Sequence, residues 1–129
     1  MTAVTKALTI VVVIDAAMWL IGVPPTLYVA LRERGLPELA GIRLLGGPFE
    51  AFGLGSLAAA GLVFTVVNAL KLLAAYWLRH GRQDGAVLQL VLLGLSTLFW
   101  YGFALPLGPV VGLPQLALLA LAWKQLRPP

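Results

Sequence analysis

The chain has 129 residues, 60% of them hydrophobic and only 11% charged, with a mean hydropathy of +0.95. A soluble domain of this length has too much surface for its volume to hide so much apolar area, which excludes a water-soluble globule and calls for a bilayer as solvent. The net charge of +4 sits on basic residues standing singly or in pairs at the ends of apolar runs, so it marks topology rather than nucleic-acid binding, and the absence of cysteine excludes disulfides and thiolate metal sites.

The first apolar run extends from about Ala7 to Leu31 behind a single Lys6. It is too long for the core of a cleaved signal peptide and ends in no small-residue cleavage motif, so a retained spanning helix is expected. Pro24 and Pro25 remove two backbone donors and predict a kink or loosening there. The linker "RERGLPELAGIRLLGGP" follows, and its stretch "LPELAGIRLL" suits either a short interfacial helix or a plain loop. The second run, Phe49 to Leu78, is long enough to tilt or project from the membrane. "RHGRQDG" then turns the chain, with Gly81 and Gly85 placed to end one helix and enter the next. The third run covers Ala86 to Leu105 and the fourth Pro109 to Leu126. Between them the uncharged "PLGPVVGLP" predicts a tight hairpin or a turn dipping slightly into the membrane.

These runs predict an all-α integral membrane protein, one domain over residues 1–129, with four transmembrane helices in an up-down bundle and a candidate interfacial helix between the first two. Lys6, Arg79, Arg82, Lys124 and Arg127 gather on one side. Arg32, Arg34 and Arg43 on the other are offset by Glu33 and Glu38. The positive-inside rule then puts both termini in the cytoplasm, and Leu, Ala, Gly, Pro and Arg usage suits a bacterial cytoplasmic membrane. Tyr76, Trp77 and Trp123 fall at the inner interface; Tyr28, Trp100 and Tyr101 fall toward the outer one. The two halves show no repeat.

Asp15 stands inside "LTIVVVIDAAMWLIGV", roughly 12 Å from the cytoplasmic edge at 1.5 Å per residue. Lys71 lies roughly 10 Å from the same edge on the second helix. Two opposite charges at one depth are open to three readings: a structural ion pair with Asn68 as neighbour, a lysine that snorkels away and leaves Asp15 to water, or a working site. At about 100° per residue, Glu50, Gly53, Leu57, Gly61, Phe64, Asn68, Lys71 and Ala75 share one face, which must point into the bundle. Glu50 in the first turn would also favour the positive helix end. Gln89, Ser96, Trp100 and Phe103 form a stripe on the third helix, with Gln89 on the inner side. A Glu50–Tyr101–Trp100 cluster is expected on the outer side, where Gln115 also falls.

Asp15, Asn68, Lys71, Glu50, Trp100 and Tyr101 are therefore the candidate ligand- or ion-binding residues. No phosphate loop, nucleophile elbow, paired-histidine or thiol motif is present, so no cofactor and no metal is implied. The expected partners are membrane lipids and a second copy or larger membrane protein, with no nucleic acid. Three functions remain open. The protein binds or transports a small solute or lipid-like ligand in an internal polar pocket, with Asp15 as the cation- or proton-binding carboxylate. It is a membrane enzyme using Asp15 or Glu50 as acid or base on a lipidic substrate. Or it is an accessory subunit whose polar second-helix face meets another chain.

Overall fold

The computed structural model describes residues 3–33, 38–39, 42–43, 48–103 and 107–126, with the backbone alone at Glu38, Leu39, Ile42, Arg43, Phe49, Glu50, Leu54 and Leu107. Four α-helices carry almost all of it: α1 (Ala3–Glu33), α2 (Leu54–Arg79), α3 (Gln83–Gly102) and α4 (Leu107–Ala122). Three of them, α1 to α3, are long and apolar enough to cross a membrane. Helix α4 has 16 residues, about 24 Å at 1.5 Å each, and falls short of the roughly 20 residues that a span needs.

The inward residues of α1 are Leu8, Val12, Asp15, Ala16, Trp19, Val23, Leu27 and Ala30, which make one stripe in steps of three and four with Asp15 and Ala16 side by side in it. The helix continues through Pro24 and Pro25, so the paired prolines do not end it. Thr9 and Thr26 turn their hydroxyls back to carbonyls four residues earlier, at 2.9 and 2.7 Å, which hides both polar groups from an apolar surrounding.

The α1–α2 linker departs from expectation. Strand β1 (Glu38–Leu39) pairs antiparallel with β2 (Ile42–Arg43), matching Glu38 to Arg43 and Leu39 to Ile42. A ladder stands where a short interfacial helix was a candidate, since Pro37 and Gly41 both weaken helix in that stretch. A 3₁₀ turn over Pro48–Phe52 follows, and Gly53 at φ 95° separates it from α2. Glu50 is thus in the turn and not in the first turn of α2, because the positive φ breaks the helical register between them. Arg34 and Arg127 of the charge pattern, and Leu105 at the expected end of the third span, lie outside the described residues.

Helix α2 ends in a Schellman motif. Gly81, at φ 72°, donates its N–H to the Leu78 carbonyl at 2.9 Å and Arg82 donates to Trp77 at 3.0 Å. Arg82 also lies over the Trp77 ring at 5.0 Å and pairs with Asp84 at 2.5 Å, which fixes the turn. The tight hairpin needs Gly85: a β-carbon there would lie 2.7 Å from the Ala74 carbonyl oxygen. Farther along, Phe64 stacks on Phe99 with ring centroids 4.9 Å apart, so the antiparallel register of α2 and α3 is set at both ends.

The expected uncharged hairpin before the fourth helix is mostly helix itself, since α4 begins at Leu107. Pro109 lies in its first turn, where the missing N–H would have had no acceptor anyway. Pro114 is accommodated inside. The earlier start moves Gln115 from an end to the middle of α4.

Inside the bundle, Trp19, Phe64, Phe99 and Phe103 form one aromatic cluster, and Leu8, Val12, Leu78, Leu93 and Leu119 pack a second. Ile10, Ile14, Ile21, Leu62, Val63, Val66, Leu98, Leu113 and Leu121 face outward. A surface this apolar suits acyl chains, not water.

Candidate functional site: a buried charge held by all four helices

Asp15, Lys71, Gln89 and Gln115 come one from each helix, and each is fully buried. Lys71 Nζ donates to Asp15 Oδ2 at 3.1 Å, and Gln115 Nε2 donates to the same oxygen at 2.8 Å. Trp19, one turn on from Asp15, donates its indole N–H to Oδ1 at 2.9 Å. Gln115 Oε1 in turn accepts from Gln89 Nε2 at 2.6 Å. Asp15 is therefore surrounded by donors from α1, α2 and α4, with α3 linked through Gln115.

The charge fixes the direction of the two glutamine amides hydrogen-bonded in series from Asp15. An ionised carboxylate only accepts, so Gln115 must present its NH₂ to Asp15. Its oxygen then faces Gln89, which must present its own NH₂. Gln89 Oε1 is left over, and it has no partner among the described residues. A carbonyl likewise only accepts, so the Asn68 atom 2.8 Å from the Phe64 oxygen is Nδ2. Asn68 Oδ1 is then directed elsewhere and is also unpartnered, as is Ser96 Oγ. Three helices donate to one carboxylate and the fourth joins through Gln115, yet the buried interior holds spare oxygen atoms among the described residues.

The pair also meets an energetic test. Each charge alone in a low-dielectric interior costs several kcal/mol, and mutual attraction together with hydrogen bonds offsets that. Here Asp15 has a counter-charge and two neutral donors. Lys71 has used one of its three N–H groups on Asp15.

Of the six residues singled out from sequence, Asp15 and Lys71 meet directly, and Asn68 lies three residues before Lys71 on the same inward face. The inward face of α2 holds Leu57, Gly61, Phe64, Asn68, Lys71 and Ala75, as the periodicity predicts. Tyr101 is 72% exposed and belongs to the outer surface. Trp100 is half-buried and wedges against α4, where β-carbons at Gly108 or Gly112 would collide with its ring. Of the expected Glu50–Tyr101–Trp100 cluster, the two aromatic members do not share a face: neighbouring residues on a helix point about 100° apart, so the half-buried Trp100 and the exposed Tyr101 diverge. The Glu50 side chain lies outside the described ones.

Trp19, Gln89 and Gln115 escaped selection as site residues. Gln115 carries the clearest signal, as the strongly polar residue in the otherwise apolar α4. Gln89 was expected near the inner edge and Gln115 near the outer one, but the Leu107 start of α4 brings them within hydrogen-bond reach.

A cleft of about 190 Å³ runs between α3 and α4 outside this network, lined by Leu90, Leu93, Thr97, Trp100, Gly112 and Leu116. Its walls are almost wholly apolar. Among the described residues no three of His, Cys, Asp and Glu come together as a metal set would. The chemistry on offer is exchange at a single carboxylate: a proton or small cation reaching Oδ2 would compete with Lys71 for the same oxygen. The chain matches no known protein family, no curated protein and no solved structure.

Proposed function

We propose that this is a four-span integral membrane protein that binds and moves a small cation, the proton being the smallest, by exchange against Lys71 at Asp15. The observation that carries the reading is the Asp15–Lys71 contact of 3.1 Å with both side chains fully buried and all four helices joined to it. A neutral apolar core of the same volume would be no less stable, and is often more so, so stability alone does not account for charges kept at this depth. Ionisable groups inside membranes are functional by default, and here the counter-charge is a side chain with enough length to withdraw. In this reading α4 completes the bundle as the fourth span, helped by the 3₁₀ turn Trp123–Gln125. The basic residues Lys6, Arg79, Arg82 and Lys124 support, by the positive-inside rule, a topology with both termini cytoplasmic. A second copy of the chain would widen the path between water and Asp15.

The test is flux in proteoliposomes loaded with a pH-sensitive dye under a cation gradient. Wild type is expected to dissipate an imposed proton gradient faster than protein-free vesicles, and Asp15→Asn to fall to the protein-free rate. Equal flux from both proteins, or none from wild type, sinks the reading.

A second reading has its own observation. The apolar α3–α4 cleft opens beside Trp100 and Thr97, and a lipid-like ligand could lay its chain there with its polar end at those two residues. A lipid retained through purification and lost in Gly94→Leu, which fills the cleft from a position where a β-carbon meets nothing, with flux absent throughout, would favour it.

A further inference from the structure

Among the described residues three buried side-chain oxygen atoms have no hydrogen-bond partner: Asn68 Oδ1 on α2, and Gln89 Oε1 and Ser96 Oγ on α3. Each of their side chains is fully buried, so water at the protein surface does not satisfy them. A neutral polar group left this way in a low-dielectric interior costs on the order of a few kcal/mol. Meanwhile Lys71 holds N–H groups beyond the one that Asp15 takes.

The helix geometry brings these two facts together. Asn68 precedes Lys71 by three residues, so their β-carbons are about 5–6 Å apart on one face. Side chains on a helix lean toward its N-terminus, which sends the long lysine chain back over the turn that carries Asn68. The Phe64 carbonyl holds the Asn68 amide nitrogen at 2.8 Å, so Oδ1 is fixed in direction and offers only an acceptor. On the facing helix, Phe64 stacks on Phe99 and Leu78 meets Gly85, and this antiparallel register puts Ser96 level with Asn68. An ammonium leaving Asp15 would therefore meet two oxygen acceptors within one helical turn.

We propose that Asn68 Oδ1 and Ser96 Oγ form a second seat for the Lys71 ammonium, occupied when a proton or cation neutralises Asp15. The protein then has two internal addresses for one positive charge. With the carboxylate free, Lys71 lies on Asp15. With the carboxylate occupied by a solute, Lys71 lies on Asn68 and Ser96, and the interior carries the extra charge with acceptors around it. This rests on the exchange reading of Asp15, but its test reads stability and not flux, so the two can fail separately.

Asp15→Asn stands in for the neutralised carboxylate. A double-mutant cycle of Asp15→Asn with Asn68→Leu, followed by reversible unfolding in mixed micelles, should show coupling. The double variant is expected to lose about tenfold more in the folding equilibrium constant than the two single losses combined. The excess should disappear when the cycle is repeated on a Lys71→Met background. Should Asp15→Asn fold too poorly to measure, the charge relocation Asp15→Asn with Asn68→Asp settles the matter. It is expected to restore folding, because a carboxylate at the second seat receives the ammonium. Additive losses in the cycle, coupling that persists without Lys71, or a relocated variant no more stable than Asp15→Asn would each overturn the proposal.

Discussion

Lys71→Met is expected to be among the most destabilising single changes in the molecule, at about 3–5 kcal/mol, because it strands a fully buried carboxylate. Trp19 and Gln115 would still donate to Asp15, but neither supplies charge. Pairing it with Asp15→Asn removes the stranded charge: the Asn oxygen accepts from Trp19, and the Gln115 and Gln89 amides turn over so that Gln115 Oε1 accepts from the new NH₂. Most of the loss should then be recovered. Reversible unfolding of the three variants in mixed micelles checks this. A Lys71→Met loss below about 1 kcal/mol would mean that Asp15 is not an ionised, sealed group.

Phe64→Ala should cost about 3–5 kcal/mol in the same assay. Phe64 is fully buried and touches three rings: Trp19 at 5.8 Å, Phe99 at 4.9 Å and Phe103 at 6.1 Å between centroids. In a membrane the loss comes from dispersion contacts rather than from water release, since lipid is as apolar as the core. The hole would open beside Trp19, whose indole holds Asp15 Oδ1, and beside Asn68, which bonds the Phe64 carbonyl. A larger fall in thermal stability for Phe64→Ala than for Phe99→Ala is expected, because Phe64 is the ring that joins α1 to α3. Equal small losses would show that the aromatic cluster is not what spaces the helices.

The helices and the inward face of α2 are legible in the sequence because periodicity is a local property. Phe64, Asn68 and Lys71 recur at steps of four and three, and no tertiary contact is needed to see that they share a side. Equal depth on antiparallel neighbours makes a meeting of Asp15 with Lys71 one of three readings, and the 3.1 Å contact selects it over a lysine that snorkels away. What sequence could not give is register between helices that are not neighbours in the chain. Gln115 reaches Asp15 across 100 positions, and that contact depends on α4 starting at Leu107. The prolines and glycines of "PLGPVVGLP" read as a turn, whereas a first-turn proline costs a helix nothing. Glu50 was misplaced for a similar reason: one glycine at positive φ ends the register that periodicity carries forward. Trp100 read as an anchor or a ligand platform, and its wedge against Gly108 and Gly112 emerges only from the packing.

The exchange reading requires Asp15 to leave its sealed state and take up a proton, and this can be seen without any assumption about the solute. The chain has five carboxylate side chains: Asp15, Glu33, Glu38, Glu50 and Asp84. A hydrophobic carbodiimide partitions into the bilayer and adds covalently to carboxyl groups in their protonated form. Peptide mapping of wild-type protein treated in vesicles should find the adduct on Asp15, forming faster as the pH is lowered and faster still in Lys71→Met. An Asp15 that stays unmodified in vesicles while it reacts readily once the protein is unfolded would contradict the account, and would leave the four-helix junction as a lock that never opens.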